Sequence, residues 1–80
     1  MRTMKVKILF FGILCEAAGK KEMILNDIND LETLQNHLTS LIPGLENYTF
    51  RLAINQEFID SNCTFKEGDI VAVMPPFAGG

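Results

Sequence analysis

The last two residues, Gly79 and Gly80, offer the most specific chemistry in the sequence, because no side chain surrounds the carboxylate that follows them. Glycine lacks Cβ, so the pair forms a thin thread that fits a channel which a larger residue would block. Two prolines stand just before this segment and cannot continue a paired strand, so we expect a tail that leaves the fold there. The predicted tail consists of Pro75, Pro76, Phe77, Ala78, Gly79 and Gly80. Taken alone, such an end is more often frayed or truncated, and the elements before it must decide whether it is functional.

The other residues capable of chemistry do not form a catalytic or metal-binding set. Cys15 and Cys63 are isolated, and His37 is the only histidine. A structural zinc site needs about four Cys or His ligands, so we predict no metal site. Two buried free thiols, as in a cytosolic protein, are favoured over a disulfide. We expect His37 on the surface or at the boundary of a helix.

The composition predicts a single folded domain spanning residues 1–80. Hydrophobic residues make up 48% of the 80 residues, too many for a disordered chain. A chain of this length forms one domain of modest stability. The net charge of −3 argues against a nucleic-acid partner, which requires a basic face.

The N-terminal segment has some features of a short signal peptide, because basic residues precede the apolar run Ile8–Cys15. This run of eight residues is too short to span a bilayer. Leu14 also stands where a lipoprotein-type cleavage site would have a small residue. Removing the segment would take away a large part of a small domain. We therefore expect a cytoplasmic protein with no membrane segment.

The pattern of apolar residues predicts an α+β domain in which a mixed sheet packs on one helix. Strands are expected at 5–11, 21–26, 49–54, 57–59 and 70–74. The helix begins after an N-cap at Asp30 or Asn29 and ends at Pro43–Gly44. Its apolar stripe, expected in the core, comprises Leu31, Leu34, Leu38, Leu41 and Ile42. The first and last strands could pair side by side and place the tail at one edge of the domain.

Alternation along these two strands separates a core face from an outward face. The residues predicted to point inward are Val6, Ile8, Phe10, Val71 and Val73. Those predicted to point outward are Leu9, Phe11, Ala72 and Met74. Exposed apolar residues clustered beside the tail indicate a partner-binding surface. The alternative is that local loops cover one or two of them.

With these elements in place, the chain resembles the small subunits of molybdopterin synthase, a family with the β-grasp, or ubiquitin-like, fold. The resemblance rests on Val6–Phe11, on Leu52–Gln56 and above all on the final segment Lys66–Gly80. This last segment reads KEGDIVAVMPPFAGG. The helical region supports the resemblance only by its position and pattern.

The resemblance implies that the chain is a sulfur carrier whose reactive group is the Gly80 carboxylate. An activating enzyme would adenylate this group with ATP, and sulfur would then replace AMP to give a thiocarboxylate. The carrier itself would bind no cofactor, and catalytic side chains would belong to the large synthase subunit, within a heterotetramer. Phe11 and Met74 match positions that the family uses for contact with that subunit. Cys15 stands where the family commonly has arginine, which puts any contact of that arginine in doubt.

Two other functions remain open from the sequence. One is a thiocarboxylate carrier for another pathway, such as thiamin synthesis. The other is a ubiquitin-like modifier that forms isopeptide bonds through Gly80. The prolines at 75–76 and Phe10–Phe11 favour a molybdopterin synthase subunit over a thiamin-type carrier. The modifier is disfavoured only mildly, since the same tail and activation would serve it.

Overall fold

The computed structural model describes residues 5–59 and 61–76, which form a five-stranded sheet packed on helices. The strands are β1 (Lys5–Phe10), β2 (Glu22–Asn26), β3 (Arg51–Ile54), β4 (Glu57–Ile59) and β5 (Ile70–Met74). The helices are α1 (Ile13–Ala18) and α2 (Leu31–Leu41), with a short 3₁₀ turn at Leu45–Asn47. Residues 1–4, 60 and 77–80 lie outside the described part of the chain, and the predictions made for Phe77 to Gly80 fall there.

The strand order across the sheet is β2-β1-β5-β3-β4. β1 and β5 are parallel, while the other three pairs are antiparallel. The predicted pairing of the first and last strands is therefore confirmed, and so is the mixed sheet. Because β1 and β5 run in the same direction, the end of β5 lies beside the turn that follows β1.

The inner face of the sheet forms one side of the core. The five residues predicted to point inward are all buried, and Val6, Ile8, Val71 and Val73 are fully so. They pack with α2 and with residues of the connecting segments in one hydrophobic cluster. Cys15 and Cys63 are free thiols, as expected, but they are half-buried at the margin of this cluster rather than inside it.

Helix α2 begins and ends close to the predicted positions. The Thr33 N–H donates to Oδ1 of Asp30 at 2.9 Å, which makes Asp30 the N-cap. Hydrogen bonds from Thr33 hold the pKa of the Asp30 carboxyl below its ordinary value. The prediction for Leu41 is wrong: this side chain is 51% exposed, while the other members of the stripe are buried. Leu41 is the last residue of the helix, and the buried Ile42 beside it points to the core instead.

Helix α1 is the one α-helix within the described residues that the apolar pattern does not predict. Its six residues lie between Gly12 and Gly19, in a segment for which the pattern of apolar residues predicts no element. Such a segment is too short to display a helical repeat of apolar residues. Leu14 is its only buried side chain, and Gly19, with φ of +76°, ends the helix in the left-handed conformation. The helix lies in the connection between the antiparallel strands β1 and β2.

Candidate docking surface

The outer face of the sheet is apolar at its centre. Strand register aligns four residues, Leu9, Ala72, Ala53 and Phe58, in one row across β1, β5, β3 and β4. Two of these residues, Leu9 and Ala72, are among the four predicted to point outward. Helix α2 packs on the opposite face of the sheet, so neither described helix covers this row.

A second row lies next to the end of β5. Met74 pairs in register with Arg51. The Phe11 N–H donates to the Val73 carbonyl oxygen at 3.0 Å, so the β1–β5 pairing continues one residue beyond β1. Phe11 is 45% exposed. The predicted outward orientation of Leu9, Phe11, Ala72 and Met74 is thus confirmed, and their role in partner binding stays a prediction.

These four residues line one open groove together with side chains that the sequence analysis did not single out. We call this the outer-face groove; its lining residues are Leu9, Phe11, Ala53, Asn55, Gln56, Phe58, Ile70, Ala72 and Met74. Phe58 and Ile70 are the large apolar additions, at 47% and 40% exposure. Ile70 could have been found from the same alternation that placed Ala72 and Met74. Phe58 could be placed only with the β3–β4 register.

A tight hairpin turn fixes Phe58 and Ile70 in position. Asn55 and Gln56 both have positive φ, at 50° and 76°, as a two-residue hairpin turn requires. The Asn55 N–H donates to the Ile70 carbonyl oxygen at 2.8 Å, and the Ile70 N–H donates to Oδ1 of Asn55 at 3.1 Å. The Asn55 amide also donates to Asp69 at 3.1 Å. The turn is therefore joined to the start of β5, which holds one end of the groove.

The base of the tail rests against the turn between β1 and α1. Gly12 has φ of +58°, and a Cβ built there would lie 3.1 Å from Cγ of Pro75. A glycine at this position therefore leaves room for Pro75 to pack. Cys15 lies in the same region, beside Phe11 and Gly12. Strand β5 ends at Met74, so the chain leaves the sheet at the end of the outer-face groove that Phe11 and Met74 line.

Charged side chains border the groove on the outer face. Cζ of Arg51 lies 3.9 Å from the centroid of the Phe58 ring, in a cation–π contact. Lys7 Nζ lies 3.7 Å from a carboxylate oxygen of Glu22.

Within residues 5–59 and 61–76, no three His, Cys, Asp or Glu side chains come together as metal ligands. Neither described helix is long and apolar enough to cross a membrane. What the described surface offers is apolar contact area beside Pro75 and Pro76, which follow β5.

This architecture defines a class: a mixed sheet on a main helix, with the chain leaving the last strand, is the β-grasp, or ubiquitin-like, fold. The small archaeal modifier protein 1 of Methanosarcina acetivorans shares it, with a TM-score of 0.80 over 100% of both chains at 24% identity. Within this class the chain belongs to the ThiS family, whose model matches residues 8–80.

Two relatives refine this placement. The molybdopterin synthase sulfur carrier subunit of Chlamydomonas reinhardtii is 34% identical over 83 aligned positions, covering 96% of this chain and 100% of the relative. A chain in the complex of subunits 1 and 2 of the molybdopterin-converting factor from Helicobacter pylori is 30% identical. That match has a TM-score of 0.75 and covers 96% of this chain and 100% of the other.

Proposed function

We propose that this protein is the sulfur carrier subunit of a molybdopterin synthase and acts in the cytoplasm. The observation that carries the proposal is similarity over nearly the whole chain to proteins of that name, at 34% identity for the algal relative. The outer-face groove supports it, because a carrier needs a docking surface beside its tail. The Helicobacter pylori complex supports a large synthase subunit as the partner.

The chemistry takes place at the Gly80 carboxylate. A carboxylate is a poor electrophile because its charge is delocalised, so a partner enzyme uses ATP to convert it into an acyl-adenylate, which has a good leaving group. Sulfur from a donor then replaces AMP and leaves a terminal thiocarboxylate. Its soft, nucleophilic sulfur is delivered to a pterin precursor bound in the large subunit. The carrier itself holds no cofactor.

The fold's part in this reaction is to present the tail. The outer-face groove docks on the large subunit through Leu9, Phe11, Ala72 and Met74, together with Phe58 and Ile70. Pro75 and Pro76 restrict the directions in which the thread can leave β5. Catalytic side chains come from the partner, and Gly79–Gly80 reach them through a narrow channel.

The decisive experiment is an intact-mass measurement after incubation with ATP, the activating enzyme and a sulfur donor. We expect the mass to increase by the difference between one sulfur and one oxygen atom. A variant lacking Gly80, and one with an extra residue after it, should show no increase and no sulfur transfer. Both should melt like the wild type, because Gly80 has no side chain to bury in the core. Full activity of the extended variant would contradict the proposal.

The same incubation separates the alternatives. Conjugates to lysines of other proteins, with no sulfur gain, would indicate a modifier. Sulfur gain followed by transfer to a thiazole-forming enzyme, and not to a pterin-processing subunit, would indicate the thiamin-type carrier. Sulfur transfer to the pterin precursor in the presence of the large subunit is the outcome we expect.

A further inference from the structure

The outer sheet face has a charge opposite in sign to that of the whole chain. Among outward positions of the described strands, the cations are Lys5, Lys7 and Arg51, and the carboxylate is Glu22. The chain as a whole carries −3. The acidic residues are therefore concentrated elsewhere on the molecule. A partner that covers this face meets apolar side chains bordered by Lys7 and Arg51, with the Asp69 carboxylate beside Asn55 at the hairpin turn.

Arg51 is the best placed of these cations to contact a partner. Its register partner is Met74, so it lies beside the last residue before the tail. Its guanidinium lies over the Phe58 ring at 3.9 Å, and that ring lines the outer-face groove. Lys7, by contrast, is already paired with Glu22. Among the described residues, no carboxylate oxygen lies within ion-pair distance of Arg51.

Stacking on Phe58 prepares Arg51 to bind a carboxylate. The ring covers one face of the planar guanidinium and leaves its N–H groups, which lie in the plane, available at the edge. A stacked side chain has already lost part of its rotamer freedom, so less entropy is lost when a partner binds. The edge of a guanidinium matches a carboxylate in a bidentate hydrogen-bonded pair.

We propose that Arg51 is a specificity-determining residue of the docking surface, which binds a carboxylate on the large subunit next to the site where the tail enters. This inference rests on the proposed function, since it takes the large subunit as the occupant. The partner surface would then carry an apolar patch that fills the outer-face groove, with an Asp or Glu at its border facing Arg51. The pair aligns the end of β5 with the tail channel, because Met74 and Arg51 are neighbours.

The test is the dissociation constant for the large subunit of the same organism, measured by calorimetry at low and high salt. Arg51→Gln should bind about fivefold more weakly at low salt. The difference should shrink at high salt, where exposed charges are screened. Arg51→Lys keeps the charge but loses the planar fork, so its loss should be smaller. The matched control is Lys66→Gln, an exposed cation before the far end of β5, which should bind like the wild type.

Several results would overturn the proposal. One is that Arg51→Gln binds as tightly as the wild type at low salt, and another is that its loss of affinity is the same at every salt concentration. Either result excludes an ion pair with the partner. Asp60 follows β4 and lies outside the described residues, so Asp60→Asn is measured as well. A loss in Asp60→Asn equal to that of Arg51→Gln would assign the carboxylate to this chain. A wild-type protein that does not bind the large subunit overturns the proposed function too, whereas normal binding with an unaffected Arg51→Gln overturns only this contact.

Discussion

The two faces of β5 are built from similar residues but have different consequences for the protein. Val71 and Val73 point inward and are fully buried, while Ile70, Ala72 and Met74 remain partly exposed on the other face. Burying the inner face stabilises the fold, since apolar area removed from water contributes about 25 cal/mol per Å². The outer face gains no such energy in the isolated chain. Under the proposed function, a second molecule covers the apolar residues of this face.

The largest expected effect comes from placing a charge on the inner face. Val73→Glu would bury a carboxylate with no partner, at a cost of more than about 3 kcal/mol. A small domain has only about 5–10 kcal/mol of stability, so we expect a protein that is unfolded or melts far below the wild type. Circular dichroism during heating measures this. A variant that melts like the wild type would show that the two faces of β5 are not distinct.

The next largest effect comes from the same substitution one residue further along. Met74→Glu places the charge on the outer face, so the free energy of unfolding should change by less than about 0.5 kcal/mol. Binding to the large subunit should weaken about 100-fold if Met74 lies at the centre of the interface. Calorimetry measures the affinity and heating measures the stability. Together, the two variants separate folding from docking at adjacent positions.

The matched control for Met74→Glu is Leu41→Glu. Leu41 is also apolar and exposed, but it lies at the end of α2, away from the outer face. This variant should keep both its stability and its affinity. If Leu41→Glu weakened binding as much as Met74→Glu, any added negative charge would be sufficient, and the outer-face groove would lose its special role.

The difference between the faces also explains how much could be predicted from the sequence. Alternation assigned the facing of β1 and β5 correctly, because a strand with one buried face repeats every two residues. The Asp30 cap was also predicted, since it depends on local chemistry, and the strands expected at 49–54 and 57–59 leave two residues between them for a hairpin turn. Alternation alone was enough to predict the four outward residues on and beside β1 and β5, Leu9, Phe11, Ala72 and Met74.

What the sequence did not reveal depends on contacts between distant segments. Phe58 joins the groove only because β3 pairs with both β4 and β5, and the cation–π contact of Arg51 depends on the same register. Leu41 and Ile42 are adjacent apolar residues at a helix end, where periodicity alone does not decide which one faces the core. Helix α1 lacked a full helical repeat. Local patterns therefore predicted the elements, while the breadth of the docking surface required the assembled sheet.

The smallest expected effect is a change in stability that leaves docking unaltered, the reverse of Met74→Glu. Asp30 caps α2 on the side of the sheet opposite the groove, and hydrogen bonds from Thr33 lower the pKa of its carboxyl. A group whose pKa is lower in the folded protein stabilises the fold above its unfolded-state pKa. That stabilisation is lost as the pH falls through the folded-state pKa.

Asp30→Asn keeps a capping oxygen but cannot titrate, so its melting temperature should be slightly below that of the wild type at neutral pH. The two should converge only below the lowered folded-state pKa of Asp30, where the aspartate becomes protonated in the folded protein as well. Affinity for the large subunit should be equal in both proteins at neutral pH, since the cap and the outer-face groove lie on opposite faces of the sheet. A difference in melting temperature that persists unchanged into acid would show that the charge of Asp30 does not stabilise the fold.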